Sequence, residues 1–171
     1  MKKLLVVVDM QEDFISGALG TAEAQAIVPA VVDAIRAFDG DVVYTRDTHG
    51  ASYLDTSEGK KLPVVHCVKG TPGWQIHPQV LQAGEGKTAA IIDKPTFGSL
   101  ELCDLAQTGG YDSIELLGLC TDICVISNAL CLKARLWETP IGVHAGCCAG
   151  VTPDSHRNAL SAMTMCQIDI L

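Results

Sequence analysis

The sequence predicts a three-layer α/β/α sandwich built on a mainly parallel, roughly six-stranded, Rossmann-like sheet. Short apolar runs alternate with segments of helical periodicity along the chain, which is the pattern of repeated βαβ units. The runs are continuous rather than alternating, as strands covered by helices on both faces must be. At 171 residues the chain can close one core, and no linker, internal repeat or low-complexity tract divides it. Residues 1–171 therefore read as a single domain.

LLVVVD (4–9) is a first buried strand ending in an acid. AEAQAIVPAVVDAIRAF (22–38) carries apolar residues at helical spacing, with Pro29 marking an irregularity or a later start. DVVYTRD (41–47) is a second strand. Residues 48–87 are rich in Gly, Pro, His and Lys and show little periodicity; a loop that long in a compact domain tends to be functional. TAAIIDK (88–94) is a third strand, and SLELCDLAQ (99–107) a helix closed by two glycines. DSIELLGL (112–119) is a strand, DICVISNALCLKARL (122–136) a helix and PIGVHAG (140–146) a strand. TPDSHRNALSAMTMCQI (152–168) is a last helix with Thr152 or Asp154 as its cap.

Nearly half of the residues are hydrophobic and about a fifth are charged, which excludes disorder; the formal net charge of −8 excludes a phosphate-reading surface. No apolar run approaches the ~20 residues of a membrane helix. MKKLLVVVDMQEDF starts basic but soon turns acidic, without a small-residue cleavage site, so it reads as a strand and not a leader. A cytoplasmic protein with neither nucleic acid nor membrane as partner is expected. The eight cysteines sit singly in apolar segments: Cys103, Cys131 and Cys166 on helices, Cys147 and Cys148 after a strand. In a reducing cytosol such cysteines act as small packing residues.

In open parallel sheets the site lies beyond the carboxyl ends of the strands. Asp9, Asp47, Lys94 and the turn 119–124 all fall there, so an acid, a lysine, a cysteine-bearing turn and a His-containing loop should converge. Cys124 follows the N-cap candidate Thr121 by three residues. In the first turn of a helix, unpaired N–H groups and the positive dipole end favour a thiolate, and an adjacent Lys94 would lower the thiol pKa further. Asp9 is then the group to take the thiol proton. The alternative is a buried helix cysteine beside a structural Asp9–Lys94 ion pair, and spacing alone leaves both open. A Cys120–Cys124 disulfide is disfavoured by the strand-to-helix turn between them, and a zinc knuckle by the lack of a second matched pair. A non-catalytic thiol redox or metal-binding protein is the reading that the cysteine count alone would support.

Asp47, His49 and His66 form a second constellation. D-x-H puts two side chains on one side of an extended segment, and a further ligand from the long loop would close a site for a divalent ion. Imidazole and carboxylate suit Zn, Fe(II) or Mn alike.

The motifs VVVDMQEDF (6–14), RDTH (46–49), HCVKGTPGW (66–74), the lysine of IIDKPTFGS (91–99) and GLCTDICV (118–125) together resemble the isochorismatase-like cysteine hydrolases, and within them the nicotinamidases, over nearly the whole chain. The resemblance implies a catalytic trio of Asp9, Lys94 and Cys124. It implies a cis peptide between Leu119 and Cys120, and an oxyanion hole from the N–H groups of Cys120 and Cys124. It implies one divalent metal ion on Asp47, His49 and His66, with Glu58 as the extra ligand and Asp55 behind it, and no organic cofactor. The ion would orient a pyridine nitrogen and so place the carboxamide over Cys124. Phe14 and Leu119 are candidate substrate contacts, with Tyr53, Trp74 or Phe97 for the other ring face; the same aromatics would also serve as core. Glu12 stands at the position of a usual asparagine, and Leu62 or Pro63 at that of a ring-stacking aromatic. The expected activity is hydrolysis of nicotinamide to nicotinate and ammonia, with another small amide or carbamoyl compound as the alternative substrate. A homo-oligomer is also expected.

Overall fold

The computed structural model describes residues 1–171. Six parallel strands form one sheet in the order β3-β2-β1-β4-β5-β6. They are β1 (Lys3–Val8), β2 (Asp41–Asp47), β3 (Thr88–Lys94), β4 (Ser113–Leu119), β5 (Ile141–Ala149) and β6 (Asp169–Ile170). Leu4 to Val8 in β1 are all buried, because this central strand has neighbours on both edges and helices over both faces.

The helices are α1 (Glu12–Ile15), α2 (Ala22–Ala37), α3 (Ser57–Lys61), α4 (Pro78–Ala83), α5 (Leu100–Gly109), α6 (Ile126–Arg135) and α7 (Pro153–Met165). In α2, Ala24, Val28, Val31, Val32 and Ile35 form the buried stripe, and Thr21 caps the start by accepting from the Ala24 N–H, worth about 1 kcal/mol. The helix runs unbroken through Pro29, which is exposed, so the carbonyl left unpaired by its missing N–H lies on the solvent side. No helix is long and apolar enough to cross a membrane.

Some boundaries differ from the sequence reading. The long 48–87 stretch contains α3, α4 and two short 3-10 turns, each too short for periodicity to reveal. Cys147 and Cys148 lie inside β5, which runs three residues beyond the expected end. Thr152, not Asp154, caps α7, in a reciprocal pair with Ser155. The last helix stops at Met165, and β6 then adds a two-residue edge strand.

Strands β2 and β3 are added on one side of β1, and β4, β5 and β6 on the other. The connections after β1 and β4 therefore diverge, and a crevice opens between those strand ends. Gly118 lets the two strands approach there. Its φ is +120°, and a side chain would collide with the Val8 carbonyl. Asp9 follows at φ +46°, a left-handed backbone that costs a non-glycine residue about 1 kcal/mol or more.

Candidate active site

The crevice holds three of the expected groups in contact. Lys94 at the end of β3 sits with Nζ 2.6 Å from Asp9 Oδ2, donates to Cys124 Sγ at 3.4 Å and donates to the Thr96 carbonyl at 3.2 Å. Asp9 Oδ1 accepts from the Thr45 hydroxyl at 2.6 Å. Asp9 and Lys94 are fully enclosed, and Cys124 is 4% exposed. Burial opposes the Lys94 charge, but Asp9, Cys124 and Asp47 outweigh it and push its pKa above the ordinary lysine range. Burial pushes Asp9 up, against the pull of Lys94, which makes its carboxylate a stronger base than an exposed aspartate.

The thiol differs from the sequence expectation. Burial, reinforced by Asp9 and only partly offset by Lys94, raises Cys124 well above an ordinary thiol; desolvation outweighs the lysine. The resting side chain is the thiol, and it needs a base to become a nucleophile. The rate of Cys124 alkylation by iodoacetamide should accordingly rise with a midpoint above that of free cysteine; mass-spectrometric labelling against pH measures it, and a midpoint below free cysteine would contradict it.

Cys124 lies in a single π-type turn, Thr121–Val125, that leads into α6. Unpaired N–H groups are a feature of such a helix start. Thr121 does not cap it; its hydroxyl is hydrogen-bonded to His156 Nδ1 at 2.8 Å. The Leu119–Cys120 peptide is cis. All eight cysteines are free thiols. Asn128 fastens the turn from behind: its amide donates to the carbonyls of Cys124 (2.8 Å) and Phe97 (3.0 Å) and accepts from the Ser99 N–H (3.0 Å). This buried side chain ties the cysteine turn to the loop after Lys94.

The second group is Asp47, His49, Glu58 and His66, whose ligand atoms all lie within 4.8 Å of one another. His49 Nε2 is 2.9 Å and His66 Nε2 3.4 Å from Asp47 Oδ2. Glu58 Oε1 stands 3.7 Å and 3.6 Å from those two nitrogens. Asp55 is exposed and outside the group. His66 Nδ1 donates to the Val64 carbonyl at 2.8 Å, which leaves the Nε2 lone pair facing the cluster. Asp47 Oδ1 is buried without a hydrogen-bond partner. Burial works against the Asp47 charge, but hydrogen bonds from His49 and His66 and the Lys94 ammonium hold its pKa well below the usual range. Two imidazoles and two carboxylates, their ligand atoms within 4.8 Å of one another, fit a divalent cation.

Two supports were not singled out from the sequence. Gln11, fully buried, accepts from the Asp47 N–H and donates to the Asp47 and Trp74 carbonyls. Asp13 accepts from the Cys67 N–H at 2.8 Å and so holds the residue after His66. Both lie in MQEDF, directly after the first strand, and that position at a strand's carboxyl end was the available signal. Glu12 faces away and accepts from the Ser16 hydroxyl.

A cavity of about 500 Å³ joins the two groups; Cys120 and Cys124 line one end and Asp47, Glu58 and His66 another. Phe14, Leu119, Leu62 and Phe97 form apolar walls. Tyr53 and Trp74 do not line it. Tyr53 is buried behind the histidines, 4.7 Å from the His49 ring and 5.0 Å from the His66 ring, with its hydroxyl donating to the Leu62 carbonyl. Trp74 lies under the Arg46 guanidinium at 3.7 Å and donates to the Thr48 hydroxyl. Both brace the histidine-bearing loops, so neither is a wall for a substrate ring.

Sheet order, crevice and cysteine turn define a three-layer α/β domain with a thiol, an acid and a lysine at its switch point. Residues 3–170 match the Isochorismatase domain, and the chain belongs to the isochorismatase family. The nicotinamidase/pyrazinamidase of Mycobacterium tuberculosis is 28% identical, over 99% of this chain and 98% of that protein. The crystal structure of the pyrazinamidase of Pyrococcus horikoshii in complex with zinc is similar with a TM-score of 0.86 at 27% identity, over 100% and 99% of the two chains. The N-carbamoylsarcosine amidase from Thermoplasma acidophilum is similar with a TM-score of 0.78 at 28% identity, over 99% and 95%.

Proposed function

We propose that this protein is a cysteine amidohydrolase that converts nicotinamide and water to nicotinate and ammonia. The observation that carries this reading is the cavity itself. It runs from a thiol backed by a buried acid and ammonium to a cluster of imidazole and carboxylate ligands. The relative named a nicotinamidase/pyrazinamidase supports the choice of amide.

In this reading Asp9 takes the Cys124 proton as Sγ attacks the carboxamide carbon. The new C–S bond gives a tetrahedral intermediate, whose oxyanion accepts hydrogen bonds from the Cys120 and Cys124 N–H groups. The C–N bond then breaks, and Asp9 returns the proton to the departing ammonia. A thioester on Cys124 remains. Asp9 next takes a proton from water as its oxygen attacks that carbonyl; the C–S bond then breaks, Asp9 returns its proton to the Cys124 sulfur to restore the thiol, and the acid leaves as nicotinate with its carboxyl proton lost to solvent. Lys94 keeps Asp9 ionised and in place, and Phe14, Leu119 and Phe97 enclose the ring and exclude water. Asp47, His49, His66 and Glu58 would hold a divalent ion, zinc being one that suits them, and the ion would supply an electrophile to anchor and orient the pyridine nitrogen.

Ammonia release from a panel of amides tests the reading, with nicotinamide expected to be hydrolysed fastest. Dialysis against a chelator should lower that rate at least about tenfold, and Zn, Fe(II) or Mn should restore it. Full activity of metal-free protein would contradict the role given to the cluster. The structural likeness to an N-carbamoylsarcosine amidase favours a second reading in which a carbamoyl compound replaces nicotinamide; preference for such compounds in the panel would select it.

A further inference from the structure

Thr121 is the first residue of the turn that carries Cys124, and it has no exposed surface. A buried hydroxyl needs a partner, and this one has a single side-chain partner, His156 Nδ1 at 2.8 Å, thirty-five positions along the chain on α7. The start of α7 is itself rigid, with Pro153 in its first turn and the Thr152–Ser155 caps. Gly150 packs against His156 so closely that a side chain there would meet the His156 backbone at 2.9 Å. Gly150 and the neighbouring Val151 line the cavity. The only other hydrogen-bonded link from the turn to this region is the Val151 N–H donated to the Asp122 carboxylate, at 3.2 and 3.3 Å and exposed. The Thr121–His156 bond, shorter and part-buried with Thr121 itself fully enclosed, is the stronger of the two. Burial holds the His156 pKa below its ordinary value, against Asp122 and together with Arg157, which favours the neutral ring.

We propose that His156 is a positioning residue for hydrolysis: through the Thr121 hydroxyl it fixes the turn that presents the Cys124 thiol and the Cys120 and Cys124 N–H groups. The inference rests on the amidohydrolase reading. It places the effect of His156 on turnover rather than on affinity, because His156 itself does not line the cavity.

The experiment is steady-state kinetics of His156→Ala, His156→Asn, Thr121→Val and the Thr121→Val/His156→Ala double variant on an amide the wild type hydrolyses, with thermal unfolding alongside. His156→Ala should lower kcat about tenfold to hundredfold, the scale of a small misplacement of reacting groups, with KM changed less than about threefold. Asparagine can return a polar atom near the Nδ1 position, so His156→Asn should recover most of the loss. Thr121→Val should repeat it, and the double variant should be no slower than either single one, because both remove one interaction. The proposal is overturned if kcat of His156→Ala stays within about twofold of wild type. It is also overturned if only KM rises, if asparagine rescues nothing, or if the losses multiply. Should His156→Ala fail to fold, His156→Asn and Thr121→Val decide by the same criteria. If the wild type hydrolyses no amide, the function reading fails, and the positioning role is read instead from Cys124 alkylation by iodoacetamide. That rate should fall in His156→Ala or Thr121→Val and recover in His156→Asn; an unchanged rate overturns the role.

Discussion

Replacing Cys124 with alanine is expected to lower amide turnover by about 10⁴-fold or more, whereas Cys120→Ala should keep it within about tenfold. The two residues are four apart in one turn, yet the surroundings of their side chains differ. Cys124 Sγ accepts from Lys94 and opens to the cavity, so the bond-forming atom disappears with it. Cys120 follows the cis peptide and is given its part through its backbone N–H, which alanine retains. Ammonia release under saturating substrate, with unfolding curves for both variants, measures the contrast. Equal losses in the two, or no loss in either, would remove Cys124 from the role of nucleophile.

Asp9→Asn should do two things at once. It should lower turnover by about 10²- to 10⁴-fold, the usual worth of a positioned general base. It should also destabilise the fold, by up to about 3–5 kcal/mol, because Lys94 loses its partner at 2.6 Å and keeps only Asp47, at 3.9 Å, as a carboxylate neighbour. The second effect alone would follow if Asp9 and Lys94 were merely a structural ion pair. Adding Lys94→Met separates the possibilities: an apolar side chain of similar length removes the stranded charge, so stability should return while turnover does not. Denaturant unfolding and ammonia release on the single and double variants give both readouts. Recovery of activity together with stability would assign the pair to the fold and not to the reaction.

Most of what brings these residues together was legible because it depends on strand ends. Asp9, Asp47, Lys94 and the cysteine turn each follow a compact apolar run, and a parallel sheet gathers such positions at one edge. Period-two geometry likewise put Asp47 and His49 on one side, where they are 2.9 Å apart. What could not be read depends on partners far apart in sequence. Nothing local marks Asn128 as the clamp between Cys124 and Phe97, or His156 as the partner of Thr121. Thr121 looked like a cap because the residue type and position suit one; its hydroxyl is instead taken up by α7. Tyr53 and Trp74 had the composition of substrate walls, but their polar tips found partners behind the cavity. The direction of the Cys124 shift was missed for a physical reason. The lysine is visible in sequence, whereas the degree of desolvation that outweighs it is set only by packing.

Lys94 touches both Asp9 and Cys124, and this has a consequence for the electrostatics of a proton moving between them. With carboxylate, ammonium and thiol, the three side chains sum to zero charge. With carboxylic acid, ammonium and thiolate, the sum is again zero. A dry interior strongly resists creation of net charge, but this exchange creates none; it moves a negative charge from one neighbour of a fixed ammonium to another. The enclosure that keeps the resting thiol protonated thus offers little opposition to its ionisation once the proton has Asp9 as its destination.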